Sequence, residues 1–231
     1  MDYESCPFKA WLKYAERIAD PRPSIAAERG TAIHALAEDY ILGKIDPLPK
    51  ELNNFSDEFK SLRARSKDLM LEQEWGFDNE WQPCEYRGDK TWGRVKADCV
   101  LPSSPTSGIV IDFKTGKKHG NEVKHGEQIQ LYALAAFIRY PDWASITCEL
   151  WYLDANDLTS IVISRKTAME RYLKTFDRRL RAMTSATEFP AKPNIVSCKW
   201  CPYGDTGHCD KRVVDQQASN EFYKRKFSRN K

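Results

Sequence analysis

The sequence predicts an α/β fold in which one small mixed β-sheet is flanked by helices. Three observations point to it. Apolar residues recur at the helical period through the first third of the chain. From residue 91 the pattern switches to the two-residue alternation of half-buried strands. Beyond residue 120, helical and strand-like stretches alternate. At 231 residues the chain suffices for one sizeable domain with its own core, and not comfortably for two. It contains no internal repeat and no low-complexity segment.

A short helix is predicted over residues 5–18, where Phe8, Trp11, Leu12, Ala15 and Ile18 share a face. The Asp20-Pro21-Arg22-Pro23-Ser24 stretch breaks it. A second helix over 25–42 carries Ile33, Ala37, Tyr40 and Ile41 on its apolar stripe and stops at Gly43. After a turn at Pro47 and Pro49, a third helix is predicted over 57–73. Residues 91–101 then alternate, with Arg94, Lys96 and Asp98 on one face and Val95, Ala97 and Cys99 on the other. Residues 102–108 read as a loop, and 109–114 as a second strand closed by Thr115-Gly116. Asp98 and Asp112 are thereby expected on adjacent antiparallel strands. A helix over 122–139, strands over 145–153 and 159–164, and an amphipathic helix over 167–183 follow, with a Pro- and Cys-rich segment after them.

The net charge of +3 neither demands nor excludes nucleic acid as a partner. Its distribution says more. Arg165, Lys166, Arg171, Lys174, Arg178, Arg179 and Arg181 form one basic stretch, and Lys224, Arg225, Lys226, Arg229 and Lys231 another. Such stretches can neutralise phosphates, but taken alone a solvated helix face and a frayed tail are the simpler explanation, since charge runs are common on helix surfaces. No run approaches the roughly 20 apolar residues that span a bilayer, so no membrane partner is expected. The opening residues lack the basic and apolar regions of a signal peptide, making a cytoplasmic location the default. In that compartment seven cysteines point to metal before disulfides. Cys84, Cys99 and Cys148 read as ordinary buried or half-buried thiols.

Asp112-Phe113-Lys114 is the first chemical candidate. Residues two apart on a strand face the same way, so Asp112 and Lys114 project together while Phe113 enters the core. The pair suits phosphodiester hydrolysis. A carboxylate binds a hard divalent cation, and an ammonium positions or helps deprotonate the attacking water and offsets charge on the phosphorane. The Phe113 carbonyl is a further candidate ligand. Alone, this tripeptide is common by chance and reads as a surface ion pair. Asp98 on the neighbouring strand makes it more specific, because Mg²⁺ takes one or two carboxylates plus waters and substrate phosphate. His34, one helical turn after Gly30, is either a metal ligand or a hydrogen-bonded half-buried histidine. Gln128 and Tyr132, four residues apart, share one helix face, where an amide and a phenol can contact phosphate, orient the lysine, or simply be half-buried.

In this order, Gly30-x3-His34, Asp98, Asp112-x-Lys114 and Gln128-x3-Tyr132 resemble the motif series of RecB-like nuclease domains of the PD-(D/E)XK superfamily. The resemblance covers about residues 1–210. It implies a restriction-endonuclease-like core with His34, Asp98 and Asp112 as ligands of Mg²⁺ or Mn²⁺, to which the Phe113 carbonyl is the further candidate given above. Lys114 would be the catalytic lysine, and Gln128 and Tyr132 supporting residues. Ala97 stands where a proline often precedes the first catalytic aspartate, a variation this family tolerates. A further acidic ligand is not legible; Glu80 and Glu85 are the candidates.

Cys198-x2-Cys201-x7-Cys209 has metal-binding spacing. The fourth ligand is either His208 or Cys6 at the other end of the chain. The arrangement resembles the cluster-bearing members of the same family, including CRISPR-adaptation nucleases. This implies a 4Fe–4S cluster on Cys6, Cys198, Cys201 and Cys209, with structural Zn²⁺ as the alternative. The expectation is then a single nuclease domain over 1–231, with a cysteine-rich module formed by 1–20 and 190–212 that the cluster joins to the N-terminus, and a basic tail over 213–231. The implied activity is a metal-dependent DNA exonuclease acting on single strands or DNA ends in recombination, repair or CRISPR adaptation. The cell would be bacterial, archaeal or phage-infected. Its companions would be a single-strand annealing protein, a helicase or a CRISPR-adaptation partner, and homo-oligomers are possible. A non-catalytic DNA-binding or assembly module with the same fold, and an RNA nuclease, are the alternatives.

Overall fold

The computed structural model describes residues 2–20, 22, 24–116, 118–215 and 217. The basic residues from Lys224 onward lie outside the described residues. The chain divides into two compact units, one of Met1–Ser24 with Arg179–Lys231 and one of Ile25–Arg178.

The larger unit is built on a six-stranded sheet in the order β2-β1-β3-β4-β5-β6. The strands are β1 (Met70–Phe77), β2 (Pro83–Cys84), β3 (Gly93–Ser104), β4 (Ser107–Lys114), β5 (Ser145–Tyr152) and β6 (Asp157–Ser164). Only the β4–β5 pairing is parallel. A parallel pair needs a crossover, and the helix Glu122–Arg139 (α5, counting in chain order) supplies it. Before the sheet come Ile25–Ile41 (α3), a 3₁₀ turn at Lys50–Phe55 and Ser56–Ala64 (α4). After it come Arg165–Thr167 (α6), a π turn at Ala168–Tyr172 and Leu173–Thr184 (α7).

One face of the sheet buries Cys99, Leu101, Ile111, Phe113 and Trp151 against Ile33, Ala37 and Ile41 of α3 and Phe59 and Leu62 of α4. The ring of Phe113 packs between Phe59 at 5.2 Å and Trp151 at 5.7 Å. Alternation then turns Asp112 and Lys114 to the opposite face, toward α5. Arg165, part of the first basic stretch, caps the end of α5: its guanidinium donates to the carbonyls of Phe137, Tyr140 and Trp143. It is committed to structure rather than free for phosphate.

In the larger unit two expectations need correction. The helix predicted over 57–73 ends at Ala64, and its last residues belong to β1. Leu71, Glu72 and Gln73 suit a helix by propensity, but pairing with β3 overrides them. The loop predicted over 102–108 is mostly strand. The β3 and β4 strands run on to Ser104 and from Ser107, turning through Pro105 and Thr106 while the Ser104 and Ser107 hydroxyls bond at 2.8 Å.

In the smaller unit the helix predicted over 5–18 is two pieces, Asp2–Ser5 (α1) and Pro7–Tyr14 (α2). Pro7 is the reason. It lacks an N–H and drives the residue before it out of the helical region, and Cys6 is extended at φ −162°. Short helices at Ile195–Lys199 (α8) and Pro202–Asp205 (α9) follow. Asp2 ties the N-terminus together by accepting from Lys9, Lys13 and Tyr14 at 2.9–3.0 Å. Tyr203 donates to the Ile18 carbonyl at 2.9 Å.

Candidate active site

Sheet register brings three carboxylates into a row. On β1 and β3 the pairs Leu71↔Cys99 and Gln73↔Ala97 bracket Glu72 against Asp98. On β3 and β4 the pair Cys99↔Ile111, carried one step on, sets Asp98 against Asp112. Like charges directly opposite one another on a sheet destabilise it, and Asp98 and Asp112 are also the buried acidic residues among those described. Such a row requires a compensating cation.

Lys114 is one. Its Nζ lies 2.6 Å from Asp112 Oδ2 and donates to Gln128 Oε1 at 2.6 Å. The other Asp112 oxygen, Oδ1, accepts from Tyr132 Oη at 2.6 Å and from Gln128 Nε2 at 3.1 Å. Gln128 and Tyr132 also bond to each other, as their four-residue spacing on α5 allows. Oδ2 is buried and meets Lys114 as a charge contact without an aligned hydrogen bond, so it retains capacity for a metal. Burial first, and the Asp98 charge second, hold the Asp112 carboxyl above the usual carboxylate range, with Lys114 opposing them. Burial also raises Tyr132, keeping its hydroxyl a donor.

Asp98 Oδ2 accepts from the Phe113 backbone N–H at 2.7 Å, and its Oδ1 lies 3.3 Å from His34 Nδ1. The other ring nitrogen, Nε2, is 2.8 Å from the Phe113 carbonyl. Both nitrogens of His34 thus face acceptors. Burial lowers its affinity for a proton, but the hydrogen bond and charge of Asp98 outweigh burial and the net shift is upward. A cation is favoured here, whether it is carried by the imidazole or coordinated by it. Gly30, one turn before, lets α3 close on the loop after β4: a Cβ there would stand 3.1 Å from Thr115 Oγ1. Asp154 clamps the same contact, accepting from both Arg29 NH groups and from Gly116 N at 2.6–2.8 Å.

The structure therefore brings together His34, Asp98, Asp112, the Phe113 carbonyl, Lys114, Gln128 and Tyr132. It also adds Glu72, which sequence reasoning missed. Ligand atoms of His34, Glu72 and Asp98 lie within 4.8 Å of one another, close enough to hold one metal ion. Glu72 sits at φ +50° and pairs with Lys96. The signal for it was the cross-strand position, which a single sequence does not display. Glu80, in the turn after β1, and Glu85, after β2, are not in this set.

In the smaller unit Cys6, Cys198, Cys201 and Cys209 line one cavity, with Phe8, Leu12 and Tyr203 among its apolar walls. The exposed His208 is not in the lining. The Lys192 backbone N–H points at Cys6 Sγ, 3.5 Å away. Burial raises the Cys209 thiol, and the other three cysteines add to the rise. Four thiols with apolar walls and a backbone donor fit a soft metal or an iron–sulfur group. Cys99 and Cys148 are buried in strands, and Cys84 is half-buried.

The model of the PD-(D/E)XK nuclease superfamily matches residues 1–97 and 92–206. The chain belongs to that superfamily. PD-(D/E)XK nucleases use divalent metals, and the acidic row with His34 is where this member can hold one. The solved structures that match the chain include two of low identity. SSO0001 is 15% identical over 92% of this chain and 84% of its own, with a TM-score of 0.47. A presumed exonuclease of Eubacterium rectale is 14% identical over 91% and 84%, with a TM-score of 0.48. No curated protein sequence matches the chain. Among the described residues of this PD-(D/E)XK protein, no helix is long and apolar enough to cross a membrane.

Proposed function

We propose that the chain is a Mg²⁺- or Mn²⁺-dependent deoxyribonuclease, an exonuclease acting on single-stranded DNA or DNA ends. The observation that supports this most is Asp112: a buried carboxylate with Tyr132 and Gln128 on one oxygen, Lys114 beside the other, and Asp98 across the strand. His34, Asp98, Asp112 and the Phe113 carbonyl would hold the metal, with Glu72 as the additional acidic ligand in place of Glu80 or Glu85. When bound, the ion supplies a Lewis acid that polarises the phosphoryl oxygen and makes water a better nucleophile. Lys114 orients the attacking water through its N–H bonds, and its charge offsets the charge growing on the phosphoryl oxygens. Gln128 holds Lys114, and Tyr132 holds Asp112. Water adds to phosphorus as the bond to the leaving sugar oxygen breaks. Such an activity fits DNA recombination, repair or CRISPR adaptation, beside a helicase that separates strands, a single-strand annealing protein that pairs the strands resection exposes, or a CRISPR-adaptation partner.

The test is hydrolysis of end-labelled single-stranded, linear duplex and closed circular DNA, with an RNA arm, by wild type and Asp112→Ala in the presence of Mg²⁺ or Mn²⁺. Metal-dependent degradation of the open substrates, lost in the variant, supports the proposal. Equal inactivity of both proteins on every substrate, with DNA binding retained, would leave a binding module instead.

We infer also that Cys6, Cys198, Cys201 and Cys209 hold a 4Fe–4S cluster rather than Zn²⁺. The four thiols share one cavity walled by Phe8, Leu12 and Tyr203, with the Lys192 backbone N–H aimed at Cys6 Sγ, surroundings that suit a thiolate-held cluster. A group joining residue 6 to residues 198–209 closes a long loop and stabilises the fold by restricting the unfolded chain. Cys201→Ala should lose both the brown colour and thermal stability. A colourless, zinc-loaded wild type from anaerobic purification would overturn this assignment.

A further inference from the structure

The smaller unit carries a second cleft, of about 390 Å³, apart from the cysteine cavity. Small-ligand sites span roughly 300–1,000 Å³, so it can take something the size of a nucleotide. Its walls include Lys9, Lys13, Arg17, Arg22, Trp200 and Tyr203. Within it Asp20 is tied to Arg22 at 2.7 Å, and behind it Asp2 is shared by Lys9 and Lys13. Four cations against those two carboxylates leave an excess of two positive charges. The exposed guanidinium of Arg17 has no partner among the described residues, and its backbone holds φ +55°, an unusual conformation for a bulky side chain.

Trp200 is the second observation. It stands in the turn between Cys198 and Cys201 and is 69% exposed, the most exposed tryptophan among the described residues. The Lys199 ammonium lies 5.3 Å from its ring centroid. With that ammonium near it and most of its surface still accessible, the ring borders a cationic cleft. Cations along a groove with an accessible ring beside them are what a single nucleic-acid strand requires: phosphates meet the ammonium and guanidinium groups, and a base stacks on the indole. Neither an apolar ligand nor a simple anion needs both.

We propose that this cleft binds one nucleotide of a single-stranded DNA, with Trp200 as the stacking platform and Arg17 and Lys13 on the flanking phosphates. The proposal rests on the reading of the chain as a deoxyribonuclease, and its test is independent of cleavage. Fluorescence anisotropy would follow a labelled single-stranded oligonucleotide binding to the full chain in EDTA, where no divalent metal is available. Trp200→Ala should weaken binding about ten-fold or more, and Trp200→Phe should restore most of it. Arg17→Ala, at an exposed position with little bearing on folding, should weaken binding and reduce the slope of log affinity against log salt by roughly 0.7. In Mg²⁺, both alanine variants should raise KM for DNA while hydrolysing the small diester bis(p-nitrophenyl) phosphate at the wild-type rate.

Two outcomes would overturn the cleft assignment: unchanged affinity in Trp200→Ala and Arg17→Ala, or polyphosphate binding as tightly as the oligonucleotide, since polyphosphate has no base to stack. Failure of the nuclease reading looks different. The diester would then survive wild type and Asp112→Ala alike, whatever the cleft variants do to binding.

Discussion

Replacing Tyr132 with phenylalanine removes one hydroxyl from a buried site and leaves the shape of the ring. That hydroxyl donates to Asp112 Oδ1 at 2.6 Å and sits on a residue only 6% exposed. A hydrogen bond to a charged group is worth about 1.5–3 kcal/mol. Asp112 Oδ1 keeps its second donor, Gln128 Nε2 at 3.1 Å, so the cost falls toward the lower end, about 1.5–2 kcal/mol. For a unit of this size that lowers Tm by roughly 3–8 °C. The functional effect follows from position. Tyr132 reaches the reaction only through Asp112, and loss of such a supporting partner typically weakens metal affinity or activity about 10–100-fold. Titrating Mn²⁺ or Mg²⁺ into the DNA hydrolysis assay should show half-saturation shifted upward by that factor, with much of the wild-type rate recovered at high metal and KM for DNA unchanged. Wild-type half-saturation and Tm in Tyr132→Phe would refute the reasoning. So would complete inactivity that excess metal does not relieve, because Tyr132 would then be acting on the reacting atoms themselves.

Glu72→Gln should raise the metal requirement about ten-fold while the protein stays folded, read by the same titration; an unchanged requirement would remove Glu72 from the metal site. Gly108→Ala should destabilise the protein by about 1–3 kcal/mol or more, measured by urea unfolding. Its Cβ would fall 2.1 Å from the Trp143 ring, and a second change, Trp143→Leu, should recover part of the loss. Burial pushes the Cys99 and Cys148 thiols up to about 12. A disulfide reagent at pH 8 should therefore modify neither in the native protein and both in denaturant; rapid native labelling of either would contradict their burial.

The local pattern determined much of this protein. The strands at 91–101 and 109–114, the helical run of α5 and the strands after it follow from residue periodicity, because burying one face of an element imposes the period of that element. The same arithmetic turned Asp112 and Lys114 to one side of β4 and Phe113 to the other, and set Gln128 and Tyr132 on one face of α5. Tertiary structure decided the rest. Residues 70–73 became strand because β3 offered them a partner, although their local propensity is helical. Glu72 entered the acidic row, and Glu80 and Glu85 did not, because cross-strand register is set by pairing between segments more than twenty residues apart. Arg165 was drawn from a basic stretch to cap α5, and Cys6 met three cysteines from the far end of the chain. A sequence displays what lies within a few residues of a position, whereas a metal site or a cleft is assembled from distant segments whose approach only the packing of the whole fold specifies.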